Sequence, residues 1–174
     1  MKDITMRFIA VAAVLGIPIA GALAQDASLP RAAIEDGFKK AECSLPIEDV
    51  LTEQQSFDLG DGKRLFLVSC WRAAYQSGSI AFITEGTGPP RLLTFQDWNG
   101  KSFAPMQSLS EADFDPAKKT LNSFHKGRGI GDCGSMGEWK WNGADFKLSA
   151  YFYKEKCDGK LFAGGKRWQI FPRR

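Results

Sequence analysis

The residue types best suited to chemistry gather in one stretch, His125 to Trp141, with five glycines, the chain's one histidine, Cys133 and three basic side chains. Enzyme motifs surface here and nearby, and each fails on its context. Gly129-Ile130-Gly131-Asp132-Cys133-Gly134 satisfies G-x-G-x-x-G. A dinucleotide site, however, needs a strand before that motif and a helix after it, whose N-terminus holds the pyrophosphate. Trp139-Lys140-Trp141 and an Asn-Gly turn follow instead, which is strand and hairpin chemistry. Gly100-Lys101-Ser102 echoes the end of a phosphate-binding loop, but Phe95 stands where the leading glycine should be. Gly131-Asp132-Cys133-Gly134-Ser135 resembles the nucleophile loop of chymotrypsin-like cysteine proteases. That chemistry requires a base within hydrogen-bond reach and N–H groups aimed at the oxyanion. His125 lies only eight positions upstream in the same segment, not on a separate barrel. A reactive thiolate is also hard to keep unpaired in an oxidising compartment. Glycoside hydrolysis needs two carboxylates, and Asp132, Glu138 and Glu85 are available, but no spacing singles them out.

A structural loop accounts for the same residues. Repeated glycines permit left-handed φ values and close backbone approach, and Asp132 is placed to accept from neighbouring N–H groups, as turn aspartates do. Lys126 and Arg128 at its base suggest an anion-binding pair beside turn N–H groups. The candidate contact set is therefore His125, Lys126, Arg128, Asp132 and Glu138. Trp139 and Trp141 share one face of a strand and read as core.

The elements that must position this loop start after a secretory signal. Lys2 and Arg7 precede an apolar run from Phe8 to Ala20, and Ala22-Leu23-Ala24 fits a small-x-small cleavage site. The run is shorter than the ~18–20 residues that span a bilayer, so no transmembrane segment is expected after cleavage. The product, residues 25–174, is of single-domain size. Its charge is uneven: residues 25–116 carry 8 basic and 14 acidic side chains, whereas 117–174 carry 13 and 5. A basic C-terminal half suits an acidic envelope protein or an anionic envelope polymer; nucleic acid is not expected as a partner.

Four cysteines in an exported chain favour two disulfides. Three pairings are possible. Cys43–Cys70 with Cys133–Cys157 is favoured because each bond closes a loop within one charge half, stabilising by roughly 3–4 kcal/mol in the chain-entropy picture. No C-x-x-C pair is present and one histidine cannot complete a zinc set, so neither metal nor cofactor is expected.

Residues 28–42 predict one short helix, with Ser28 as cap, Pro30 in the first turn, and Ile34, Phe38 and Ala41 on one face. Gly37 weakens it by about 1 kcal/mol. The period then changes to two. Arg64–Trp71 is apolar on both faces and reads as a central strand; Ser79–Thr84, Arg91–Gln96 and a strand starting at Lys119 follow, with residues 104–117 read as a connection. Trp98-Asn99-Gly100-Lys101-Ser102-Phe103 recurs as Trp141-Asn142-Gly143-Ala144-Asp145-Phe146. Asn-Gly predicts a type I′ turn with the aromatics meeting across the strands, and the repeat suggests a weak duplication. Phe146, Leu148, Ala150 and Phe152 are expected inward, and Lys147, Ser149, Tyr151 and Tyr153 outward. A last strand is expected over 167–171. The fold class is mainly β: one domain of antiparallel strands and hairpins, meander, propeller-blade-like or sandwich, with one N-terminal helix.

Lys126–Gly134, Trp139-Lys140-Trp141-Asn142-Gly143 and Phe146, with Cys70-Trp71-Arg72-Ala73-Ala74-Tyr75, Ser79–Phe82 and Cys157-Asp158-Gly159, resemble a bacterial exported family, number 1176 in the domain-of-unknown-function series. The likeness runs from about residue 40 to the end, and the chain looks like a compact version without an N-terminal extension. Ile130 stands where the family pattern suggests leucine. The resemblance implies an envelope location and a shared β fold, with no activity and no catalytic residues to carry over. The expectation is a non-catalytic periplasmic or secreted binding module using loop 126–138. The alternatives are a cell-wall hydrolase with a carboxylate pair and an inhibitor of an envelope hydrolase.

Overall fold

A computed structural model describes residues 28–173. The proposed signal segment lies outside the described residues. Helix α1 (Arg31–Lys40) and a single turn, α2 (Ile47–Val50), precede twelve strands. β1 (Gln55–Gly60), β2 (Lys63–Arg72), β3 (Ser77–Glu85) and β4 (Arg91–Leu92) form one antiparallel sheet in that order, and β7 (Ser108–Ser110) also pairs with β3. β5 (Phe95–Trp98) and β6 (Phe103–Met106) form a two-stranded ribbon. β8 (Asp113–Asp115), β9 (Thr120–Lys126), β10 (Gly134–Trp141), β11 (Phe146–Lys154) and β12 (Gln169–Phe171) form a second sheet, an antiparallel meander in strict chain order.

The period-two pattern of β2 and β3 explains the layering. Leu65, Leu67, Ala81 and Ile83 face the second sheet and share a core with Phe95, Leu109, Phe114, Leu121, Trp139, Phe146 and Tyr151. The alternate residues Phe66, Val68, Cys70, Ile80 and Phe82 pack under α1 through Ile34 and Phe38. β2 is apolar on both faces because both are covered. Burying side chains of this kind is worth about 1.5–3 kcal/mol each. Gly37 has a packing role: a Cβ there would lie 2.5 Å from Cζ of Phe82, so the helix seats closely only with glycine. The disulfide Cys43–Cys70 and bonds from the N–H groups of Ser44 and Leu45 to the Cys70 carbonyl, at 2.9 and 3.1 Å, tie the chain after α1 to β2.

Several local expectations are corrected. Ser28 makes no cap; α1 starts after Pro30, with no side-chain cap, and Ala41 lies just past its end. The segment 91–96 breaks between β4 and β5, and residues 104–117 contain the end of β6 together with β7 and β8. Trp168 belongs to a 3₁₀ turn (Lys166–Trp168) rather than to the last strand. The repeated hairpins do not use a type I′ turn with Asn-Gly at its centre. Only the glycine takes positive φ, +94° at Gly100 and +96° at Gly143. Oδ1 of Asn99 accepts the N–H groups of Lys101 and Ser102 at 3.0 and 2.9 Å, and Asn142 does the same for Ala144 and Asp145. The flanking aromatics do meet, with ring centroids 5.3 Å apart for Trp98–Phe103 and 5.2 Å for Trp141–Phe146. One hairpin is an isolated ribbon and the other sits inside a five-stranded meander, so the two copies share their turn and aromatic pair but not their place in a sheet.

The β11 alternation is also inverted halfway. A register shift where Glu138 and Trp139 face Ala150 and Leu148 leaves Ser149 unpaired, its Oγ donating to the Glu138 carbonyl at 3.0 Å. A bulge of this kind adds one residue and swaps the faces beyond it. Tyr151, expected outward, is 1% exposed.

A polar cleft beside the glycine-rich loop

Along the inward face of the second sheet the apolar core gives way to polar side chains. On β9 the same-face series is Leu121, Ser123, His125; on β10 it runs from Trp139 through Gly137 to Ser135; beyond the bulge β11 contributes Tyr151 and Tyr153. Phe95 of β5 is core, and Asp97, two residues on, is not. Of these, Asp97, Ser123, His125, Ser135 and Tyr153, together with Trp71, Trp98, Ser108, Ser110 and the Cys133–Cys157 disulfide, line a cleft of about 580 Å³, with Tyr151 buried directly beneath Asp97.

At its floor the Tyr151 hydroxyl donates to Oδ1 of Asp97 and accepts the N–H of Trp98 at 3.3 Å. Burial pushes the Asp97 carboxyl above the usual carboxylate range, and the bond from Tyr151 holds part of that rise back. Burial, with the neighbouring carboxylate, pushes the Tyr151 hydroxyl above the ordinary phenol range. The tyrosine therefore stays a proton donor. Higher on the wall, Nδ1 of His125 lies 3.1 Å from Oγ of Ser110, and Nε1 of Trp71 donates to Oγ of Ser108 at 3.3 Å. Nε1 of Trp98 is buried without a partner.

Of the residues expected as a contact set, His125 alone lines the cleft. Lys126 Nζ donates to the Tyr75 carbonyl at 2.9 Å and pairs with Glu111 at 3.3 Å. Arg128 grips Asp132 with two bonds of 2.7 and 2.6 Å, and Asp132, 3% exposed, also accepts the N–H of Gly159 at 2.5 Å. The guanidinium bond holds the Asp132 carboxyl well below the usual carboxylate range. Glu138 lies opposite Asn122 on β10, between the inward-facing Gly137 and Trp139, and so points to the other face of the sheet. The loop's charges are thus largely closed on its own neighbours.

The G-x-G-x-x-G stretch leads into β10 with no helix after it, and Cys133 is disulfide-bonded, so it offers no thiolate. Gly134 serves strand pairing instead. At its φ of +127° a Cβ would lie 2.0 Å from the His125 carbonyl oxygen, so β9 and β10 meet here only through glycine. Among the described residues, Asp132, Cys133 and Cys157 bring ligand-type atoms within 4.8 Å of one another. The two sulfurs are bonded together and the carboxylate is held by Arg128, so these donors are already occupied.

Asp97, Ser110, Ser123, Ser135 and Tyr151 are site residues that sequence reasoning missed. Alternation along β9 and β10 was the available signal, since it places Ser123 and Ser135 on the face of Leu121 and Trp139. Tyr151 was hidden by the bulge.

A protein from Escherichia coli (strain K12), the uncharacterized protein YpfG, is 33% identical over 104 residues, covering 58% of this chain and 30% of that protein. No solved structure matches. The pattern of the family described as protein of unknown function (DUF1176) matches residues 12–172. The chain, with its disulfide-pinned loop and meander sheet, belongs to the DUF1176 family.

Proposed function

We propose that the protein is a non-catalytic binding module acting outside the cytoplasm, and that its ligand is a hydroxyl-rich saccharide held in the cleft. The observation behind this reading is the lining: Trp71, Trp98 and Tyr153 stand beside Ser110, Ser123, Ser135, His125 and Asp97. Aromatic surfaces cover the C–H faces of a sugar ring, while hydroxyl, imidazole and carboxylate groups exchange hydrogen bonds with its hydroxyls. A few convergent polar groups in an aromatic recess are the usual form of a small-ligand site. Charge argues against an anionic occupant. Lys154 lines the cleft but donates to Asp158 at 2.6 Å and to the Lys160 carbonyl at 2.7 Å, and the lining includes the carboxylates of Asp97 and Glu155. Two disulfides support an extracytoplasmic setting, where such bonds persist.

Titration of the oxidised protein with N-acetylglucosamine oligomers and soluble peptidoglycan fragments, following the indole N–H signals by NMR, tests this. Saturable shifts at Trp98 and Trp71 are the expected result; unperturbed indoles with both ligand sets would sink the reading. A second reading, cell-wall hydrolysis, is favoured by the half-buried Asp97, whose carboxyl is shifted in the direction a general acid requires. Release of fragments from peptidoglycan that stops in Asp97→Asn, while binding persists, would replace the first reading by the second.

A further inference from the structure

The connection from β11 to β12 has a chemistry that the cleft does not use. Residues 155–165 lead into the 3₁₀ turn Lys166–Trp168. Lys156, Lys160, Lys166 and Arg167 make no ion pair among the described residues, in contrast to Lys126, Arg128 and Lys154. Of the acids in the segment, Asp158 is engaged by Lys154 at 2.6 Å, which leaves Glu155 as the local opposing charge. The Arg167 guanidinium is oriented by stacking 3.6 Å from the Trp168 ring centroid. Among these cations Leu161 is 79% exposed, while its neighbour Phe162 is 2% exposed, packed edge-on against Phe124 and Trp168 at 6.0 and 5.4 Å. The segment is held by the disulfide at Cys157, by the Gly159 N–H bonded to Asp132 and by Phe162. A pinned loop that turns one aromatic inward and the adjacent leucine outward is built to present that leucine.

We propose that this loop docks the protein on an anionic bilayer surface, Leu161 entering between head groups while Lys156, Lys160, Lys166 and Arg167 meet their phosphates. A soluble acidic polymer would use the cations and leave the leucine in water; a bilayer uses both. Roughly four to eight clustered cations are the pattern by which anionic head groups are recognised, and lysine stems extend along an apolar surface with the ammonium at the polar layer. The proposal is independent of the cleft and of what fills it.

Co-sedimentation of the oxidised protein without its apolar leader, residues 25–174, with vesicles of phosphatidylglycerol and phosphatidylcholine, and with vesicles of phosphatidylcholine alone, tests it. Binding is expected to the anionic vesicles only and to fall as salt rises. Lys160→Glu with Lys166→Glu should weaken it by roughly five-fold or more for each cation reversed. Leu161→Ser should weaken vesicle binding by roughly ten-fold and leave retention on immobilised polyglutamate unchanged. Lys39→Glu, an exposed reversal on α1 away from the loop, and Trp98→Ala in the cleft should leave vesicle binding intact. A folded protein that ignores anionic vesicles at low salt overturns the proposal. So does binding that depends on the cations but not on Leu161, which would assign the loop to a soluble acidic partner.

Discussion

The loop of residues 127–133 and the cleft beside it share Gly127 and Cys133 and differ in what their polar groups have left to do. In the loop, Arg128 and Asp132 satisfy each other, Asp132 also takes the Gly159 N–H, and Cys133 is bonded to Cys157. In the cleft, Ser123, Ser135 and His125 stand on strands whose backbone is already paired, with side chains lining open space. The difference separates two reasons for a conspicuous residue. Glycines, a cysteine and a buried carboxylate held by a half-exposed arginine mark a segment that is hard to fold any other way. Ordinary serines at the end of an apolar face mark a surface that has bonds to offer a ligand.

That contrast is broken most forcefully from the loop side. Replacing Cys133 and Cys157 together by alanine should lower stability by about 3.5 kcal/mol in the chain-entropy picture, measured by urea unfolding, with little effect on the far pairing of β2 and β3. A loss under about 1 kcal/mol, well below that chain-entropy figure, would mean that the loop holds its shape without the bond. Asp132→Asn comes next. Because Arg128 holds this carboxyl below its ordinary range, its stabilisation is present above the ordinary carboxylate pKa and lost as pH falls through the depressed folded value. The variant should melt lower than the parent at neutral pH, and the gap should close on acidification.

Asp97 carries the opposite sign. Its carboxyl is raised by burial, so its contribution is fully present below the ordinary carboxylate pKa and lost as pH rises through the raised folded value. Asp97→Asn keeps an acceptor for the Tyr151 hydroxyl and should flatten the decline of the melting temperature on the rising side; a variant with the parent's pH profile would contradict the burial. Ser123→Ala and His125→Ala should change stability least, within about 0.5 kcal/mol, while weakening saccharide binding several-fold.

Long-range order was more legible in the chain than the site was. β2 and β3 announce themselves because both faces are buried and the apolar run is long, and Ile34 and Phe38 place the helix. β7 and β8 are three residues each, too short for a period to show, and they lie in a segment whose prolines and acids suggest a connection. Ser149 looks like any exposed strand serine, yet leaving it unpaired turns Tyr151 inward and so creates the Asp97–Tyr151 floor. The cleft itself draws on β2, β5, β6, β7, β9, β10 and β11. No spacing in the sequence could bring Asp97, Ser110, Ser123 and Ser135 together, because pairing and a bulge do so.

If ligand meets the cleft and not the cations of the loop, one isothermal titration series will separate the two. Neutral N-acetylglucosamine oligomers are added to the oxidised parent, to the Ser123→Ala, His125→Ala double variant, and to Lys126→Ala. Binding in the cleft requires a loss of affinity of about ten-fold or more in the double variant, roughly the loss of one charge-assisted or two neutral hydrogen bonds, at unchanged melting temperature. Lys126→Ala should bind like the parent. Full affinity in the double variant with loss in Lys126→Ala would contradict this and return the contact to the loop.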